Sequence, residues 1–239
     1  MLLFAASMGL AADPPPPVAL LVDPVVGSRA ARVELGAGAS LGESARVSMG
    51  AGVEGDFSGR LAVRASALVP MADAEEVELT AAARVELAEA ARAGVDLAAG
   101  LRYKRTGFRE EAGEAELLLA AARTLGNTRL LANLTGGRGL SEPEWDVEGA
   151  LGGLVSVGEN LGVGGAARGR IGATAHETKG AAGEAEAEAE RRGDPAWDVV
   201  VGPTVNVSVG AATLSVFGGG EANEGGAGAR AEAGLRFLF

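Results

Sequence analysis

"GARAEAGLRFLF", residues 228–239, is the stretch whose reading decides the fold. From Ala229 every second residue is apolar: Ala229, Ala231, Ala233, Leu235, Phe237 and Phe239. Arg230, Glu232, Gly234, Arg236 and Leu238 stand between them. Alternate side chains of an extended strand point to opposite faces, so this pattern is a strand with one greasy face and one charged face.

The same period runs through the chain from residue 32. Working outward, "RVELGAGASL" (32–41), "RVSMGAGVE" (46–54), "RLAVRASALV" (60–69), "VELTAAARVEL" (77–87) and "AGVDLAAGLRY" (93–103) repeat it. Then come "AELLLAAA" (115–122), "RLLANLTG" (129–136), "WDVEGALGGLVSV" (145–157), "LGVGGAARGRIG" (161–172), "WDVVVGPTVNV" (197–207) and "TLSVFGG" (213–219). With the final segment these make about twelve strands; ten and fourteen are the alternatives. Strands of this length, tilted, cross an apolar film of about 25 Å. Helix is the rival for "DAEEVELTAAARVELAEAARAG" (73–94), which is rich in helix formers. Its Val77, Leu79, Val85 and Leu87 nevertheless keep the period of two. A soluble sandwich would carry a polar outer face and larger inner side chains.

The connections alternate in length. "GDFS", "AEAA", "GNT", "GEN" and "SVGA" form one set of tight turns, which an antiparallel barrel places on the side of its termini. "PMADAEE", "KRTGFREEAG", "GRGLSEPE", the long segment around residues 173–196 and "GGGEANEGGA" form the other set, with short "GESA" an exception. Tyr103, Trp145 and Trp197 fall at the long-loop ends of their strands, and Phe237 and Phe239 at the opposite rim, as interfacial aromatics do.

The terminal "AGLRFLF", alternating and ending on Phe, resembles the C-terminal signal of bacterial outer-membrane β-barrel proteins. The resemblance covers residues 32–239 as a pattern. It implies an all-β, transmembrane, antiparallel up-and-down β-barrel in the bacterial outer membrane. It also implies lipid as the surrounding partner and recognition of the last strand by the barrel-assembly machinery.

Composition narrows the function. The chain has no cysteine, which excludes disulfides and thiolate metal sites, and its net charge of -11 argues against nucleic acid. No cofactor or metal site is expected, and the acidic "GEAEAEAERR" (183–192) reads as a solvated loop rather than a calcium loop. Residues 1–12, "MLLFAASMGLAA", read as a secretory signal lacking its basic start. Residues 13–31, opening "DPPPPVALLVDP", read as a stiff Pro-rich periplasmic segment before the barrel of residues 32–239.

If the apolar face meets lipid, the other face lines a lumen. Its arginines would be Arg46, Arg60, Arg64, Arg84, Arg92, Arg102, Arg129, Arg168, Arg170, Arg230 and Arg236. Its carboxylates would be Glu34, Glu54, Glu78, Glu86, Asp96, Glu114, Glu116, Asp146, Glu148, Asp198 and Glu232. The balance suits forked arginine–carboxylate pairing where water is scarce. Leu118, Leu131, Leu154, Val200 and Phe217 would also face inward and fill part of the space.

Three functions follow. The first is a narrow passive channel for small hydrophilic solutes or ions, with the charged lining setting selectivity. The second is a plugged barrel with a structural or interaction role through its acidic outer loops, among whose residues Glu221 is counted. The third is a lipid hydrolase, which would need His176 beside a serine such as Ser141 or Ser156; no nucleophile-elbow motif supports it, and no enzyme is expected.

Overall fold

A computed structural model describes residues 21–22, 25, 31–41, 45–57, 59–71, 77–106, 113–140, 144–174 and 197–239. The alternation becomes twelve antiparallel strands: β1 (Ala31–Leu41), β2 (Ala45–Phe57), β3 (Leu61–Pro70), β4 (Glu78–Ala88), β5 (Asp96–Thr106) and β6 (Glu114–Leu125). They continue as β7 (Thr128–Gly139), β8 (Glu144–Val157), β9 (Leu161–Thr174), β10 (Trp197–Val209), β11 (Ala212–Asn223) and β12 (Gly226–Leu238). Each strand pairs with its neighbours in sequence, and β1 pairs with β12, so the sheet closes and leaves no edge.

Closure is made by the stretch that opened the sequence. Arg32 stands opposite Leu238, Leu35 opposite Leu235 and Leu41 opposite Ala229. Past the ladder, the Phe239 N–H donates to the Ala31 carbonyl at 2.8 Å and the Ala31 N–H donates back at 3.2 Å.

The two faces separate as the period of two requires. Leu101 and Leu117 on the outer face are 63% and 66% exposed, whereas Arg129 on the inner face is 1% exposed. An inverted distribution of this kind, greasy side chains outside and charges inside, is stable only where the outside is lipid. Among the described residues no helix is long and apolar enough to cross a membrane; the strands do so.

On the side of the termini the connections are short, at residues 58–60, 89–95, 126–127, 158–160 and 210–211. Each holds a glycine with positive φ, namely Gly59, Gly94, Gly126, Gly158 and Gly210, where a side chain would be strained. The opposite side carries the connection of residues 175–196.

Three expectations need correction. "AEAA" is not a tight turn: Ala90–Ala93 forms one turn of helix, α1, ended by Gly94, and β5 starts at Asp96 rather than residue 93. The helix-forming tendency of segment 73–94 is thus expressed only in that last turn. "GGGEANEGGA" is not a long loop, because β11 runs to Asn223 and β12 restarts at Gly226. "KRTGFREEAG" is shortened likewise, since Lys104 and Arg105 belong to β5.

Residues 1–20 lie outside the described residues. Within the segment expected to be periplasmic, Leu21, Val22 and Val25 are described, and they lie inside the barrel. Leu21 is buried in one cluster with Ala122, Leu131, Ala150, Ala166, Val200 and Phe217 from the inner wall. Small inner residues such as Ala122, Gly152 and Ala166, aligned in register across β6, β7, β8 and β9 around Leu131, leave the space that Leu21 fills.

Candidate functional site

Charged side chains on one face of a closed sheet must pair or meet water, because an isolated ion in a dry interior is costly. The inner wall does both, and it does so by sector.

Across β12, β1 and β3, Glu34 is gripped by two arginines, Arg64 at 2.5 Å and Arg236 at 2.6 Å. One step toward the terminal rim, Glu54 receives Arg32 at 2.6 Å and Arg84 at 2.5 Å, and Arg32 also reaches Asp56 at 3.1 Å. The Arg64–Glu34 and Arg84–Glu54 pairs each skip an intervening strand, which only side chains sharing the concave inner face can do. Further round, Arg102 pairs with Glu116, and Lys104 reaches Glu114 at 3.1 Å and Glu116 at 3.6 Å. Arg170 holds Asp146 at 3.1 Å; Arg168 holds Asp198 at 2.9 Å and Glu148 at 3.9 Å. Arg230 bonds Glu232 at 2.6 Å and approaches Glu221 at 4.0 Å, while the Ser40 hydroxyl donates to Glu221.

Water reaches some of these groups. Arg64, Arg102 and Arg236 keep 36%, 33% and 32% of their side-chain surface exposed. Beside their charged groups, strands β6 to β11 also carry a dry patch. Leu154 and Phe217 are wholly buried there, with Val200, Thr204 and Asn206 nearly so. Against it lies the N-terminal segment. The Val22 N–H donates to Asn133 Oδ1 at 2.5 Å, and Asn133 Nδ2 returns a bond to the Val22 carbonyl at 2.9 Å. Three residues on, the Val25 carbonyl accepts from Arg84 Nη2 at 3.4 Å. Three residues of extended chain span at most about 11 Å. The segment therefore leans from the β7 wall toward β4 and narrows the lumen where it passes.

Other expected lining residues sit at the rims or brace the wall itself. Arg92 lies in α1 beside Glu89, exposed at the terminal rim. Arg60 lies exposed in the turn before β3, at the mouth rather than on the wall. Asp96 is buried, but it accepts the Ala90 N–H at 2.7 Å and so braces the α1 turn. Arg46 is exposed at the far end of β2, and Glu78 accepts from Thr80 at the far end of β4. Glu86 lies where the β4–β5 register shifts. Glu221, counted among the outer-loop acids, is a wall residue. Arg32, Ser40, Asp56, Lys104 and Asn133 were not anticipated. The alternation already places Arg32, Ser40 and Asn133 inward within segments 32–41 and 129–136, and one step beyond the quoted segments reaches Asp56 and Lys104.

Tyr103, Trp145 and Trp197 are exposed on the outer face at the end away from the termini. Phe237 and Phe239 stack at 6.4 Å at the terminal rim, and Phe57, also unanticipated, is exposed there. Glu114, Glu116 and Asp146 bring carboxylate oxygens within 4.8 Å of one another. Each already faces a cation, Lys104, Arg102 or Arg170, which neutralises the group. His176, Ser141 and the acidic stretch 183–192 lie outside the described residues.

No protein-family model matches the sequence, and no curated relative matches it. Solved structures do. An outer-membrane channel from Pseudomonas putida F1 aligns over 94% of this chain and 100% of its own, at 13% identity and a TM-score of 0.58. The NanC porin aligns over 86% and 98%, at 5% identity and a TM-score of 0.59. The fold is that of an outer-membrane β-barrel. At such identities the likeness is one of fold, and the chemistry rests on the residues above.

Proposed function

We propose that the barrel is a narrow passive channel for small hydrophilic solutes or ions. The observation that carries this reading is the water-reachable charged wall on β12, β1, β2 and β3, where Arg64 and Arg236 share Glu34 and remain about one-third exposed. Eight strands close a barrel that side chains just fill, and twelve leave additional room. Here the N-terminal segment and the dry sector occupy part of that room, so the path runs beside the charged wall. Opposed arginine and carboxylate groups give a passing solute both donors and acceptors, favouring small polar molecules over apolar ones. The channel and porin named above share the architecture and support the same reading.

A specific observation favours a second reading. Leu21, Val22 and Val25 are anchored to β4 and to the wall around Asn133, which is how a plug would be held. Planar-bilayer recording of the refolded full chain separates the two. Discrete current steps support the channel; silence from protein shown to have inserted supports the plugged barrel.

A further inference from the structure

Asn133 brings an amide to the dry patch of the inner wall. In register it stands opposite Ala120 on β6 and Ala150 on β8, both buried and neither with a side-chain group to bond it. Its Nδ2 donates to the adjoining Ala132 carbonyl at 3.0 Å, which fixes the amide plane. The rest of the amide is spent on one residue of the N-terminal segment. Oδ1 accepts the Val22 N–H at 2.5 Å, and Nδ2 donates to the Val22 carbonyl at 2.9 Å. Both bonds read backbone, and every peptide carries that backbone.

Beside the amide lies a hollow of side-chain size. One step toward the terminal rim, Leu131 stands opposite Ala122 and Gly152. Leu131, Val200 and Phe217 wall the hollow, small side chains floor it, and Leu21 fills it. Three residues after Val22, the Val25 carbonyl accepts from Arg84, whose guanidinium Glu54 already orients at 2.5 and 2.9 Å. Three anchors therefore follow one another: an apolar hollow, an amide that pairs the next residue's backbone, and a cation for a carbonyl further on. Peptide grooves divide the work in the same way, with main-chain bonds for affinity and a pocket for the choice of side chain.

The barrel closes without these anchors. Its twelve strands are hydrogen-bonded all the way round, and none of Leu21, Val22 and Val25 takes part in that ladder. Val25 is joined to β1 by the short stretch that ends at Ala31, so the segment is a tethered ligand. A short tether holds its ligand at an effective concentration on the order of millimolar. Free peptide of comparable fit competes with it in that range.

We propose that this part of the lumen is a binding subsite for short peptides that carry an apolar side chain, and that Leu21, Val22 and Val25 occupy it as a resident stand-in. The hollow selects the apolar residue, Asn133 pairs the backbone of the residue after it, and Arg84 takes a later carbonyl. The inference names a substrate class for the channel and, as regards passage, rests on that reading. Binding itself does not, and it is measured without current.

The test is calorimetry on the refolded full chain in detergent, with acetyl-leucyl-trialanine amide as the probe. Leu21→Ser weakens the resident and should raise the probe's affinity about tenfold over the native chain. In that variant, a probe with serine in place of leucine should bind about tenfold more weakly. A probe with an ester in place of the amide after leucine lacks one N–H and should lose about fivefold, a penalty that Asn133→Ala abolishes. Folding of each variant is checked by the heat-dependent gel shift, and Leu21→Ala replaces Leu21→Ser if the latter fails it. No binding to the Leu21 variant at millimolar probe overturns the proposal, as does equal binding of the leucine and serine probes or an ester penalty that survives Asn133→Ala. So does binding confined to a peptide with the sequence of residues 21–25, which would make the cleft a seat for the chain's own segment alone. Silence in the bilayer recording, with peptide binding intact, would remove passage and leave the subsite.

Discussion

The interior of this barrel has two halves made from one sequence rule. From β12 through β1 to β3 the inner positions are Glu34, Arg64, Arg230 and Arg236, side chains long enough to cross a neighbouring strand and find a partner. From β6 to β11 the wall carries charge toward the far rim, at Glu116, Asp146, Arg168, Arg170 and Asp198, but it also presents Leu131, Leu154, Val200 and Phe217 with alanine and glycine between, and Leu21 packs into the space they leave. Alternation fixes which residues face inward in both halves. The chemistry at those positions decides whether the wall is wet or sealed. A barrel can therefore hold a hydrophobic core and an aqueous path side by side, provided the core half has something to pack against.

The difference can be broken from the dry side with the largest effect. Phe217→Ala removes a wholly buried ring, and unfolding in detergent by urea should show a loss of about 3–5 kcal/mol, while ion selectivity stays as it was. A loss below about 1 kcal/mol would mean that the β6–β11 half is not a packed core.

Asn133→Ala acts at the boundary between the halves. It removes both bonds to Val22 and leaves that peptide without them inside the barrel, a cost of about 1–3 kcal/mol. Released from β7, the segment should narrow the lumen less, so mean single-channel conductance rises. An unchanged conductance would show that Leu21–Val25 does not bound the path.

The wet side should answer in selectivity rather than stability. Arg64→Gln with Arg236→Gln strips Glu34 of both partners, yet all three groups meet water, so the stability loss stays below about 1 kcal/mol. A bare carboxylate on the wall should move the reversal potential in a salt gradient toward cation preference. Movement toward anions, or none, would remove these arginines from the path.

How much of this was legible in sequence depends on the residue. The strands were readable because lipid on one side and charge on the other enforce a strict period, from Val33 to Phe237. The ends of strands were not. Lys104 and Glu221 sit where glycine and mixed charge imitate a loop, and backbone pairing carried the strand two to four residues further than the apolar pattern did. The turn at Ala90–Ala93 was hidden because four alanine-rich residues fit either strand or helix, and Asp96 settles it by accepting the Ala90 N–H. The interior position of Leu21 was out of reach for another reason. A proline-rich approach says that the chain is stiff, and nothing local says that a cleft between Leu131 and Phe217 waits for a leucine.

The chain contains no cysteine, so a single introduced thiol reports its own surroundings without interference. Ser66 on β3 faces the charged half and Ser215 on β11 faces the dry half, where it is 7% exposed. The most direct measurement is the rate at which a charged, water-soluble methanethiosulfonate modifies Ser66→Cys and Ser215→Cys in the membrane-inserted protein. A wet path beside a sealed core predicts rapid modification at position 66 and rates lower by orders of magnitude at position 215. Equal rates at the two positions would contradict the division of the lumen on which this account rests.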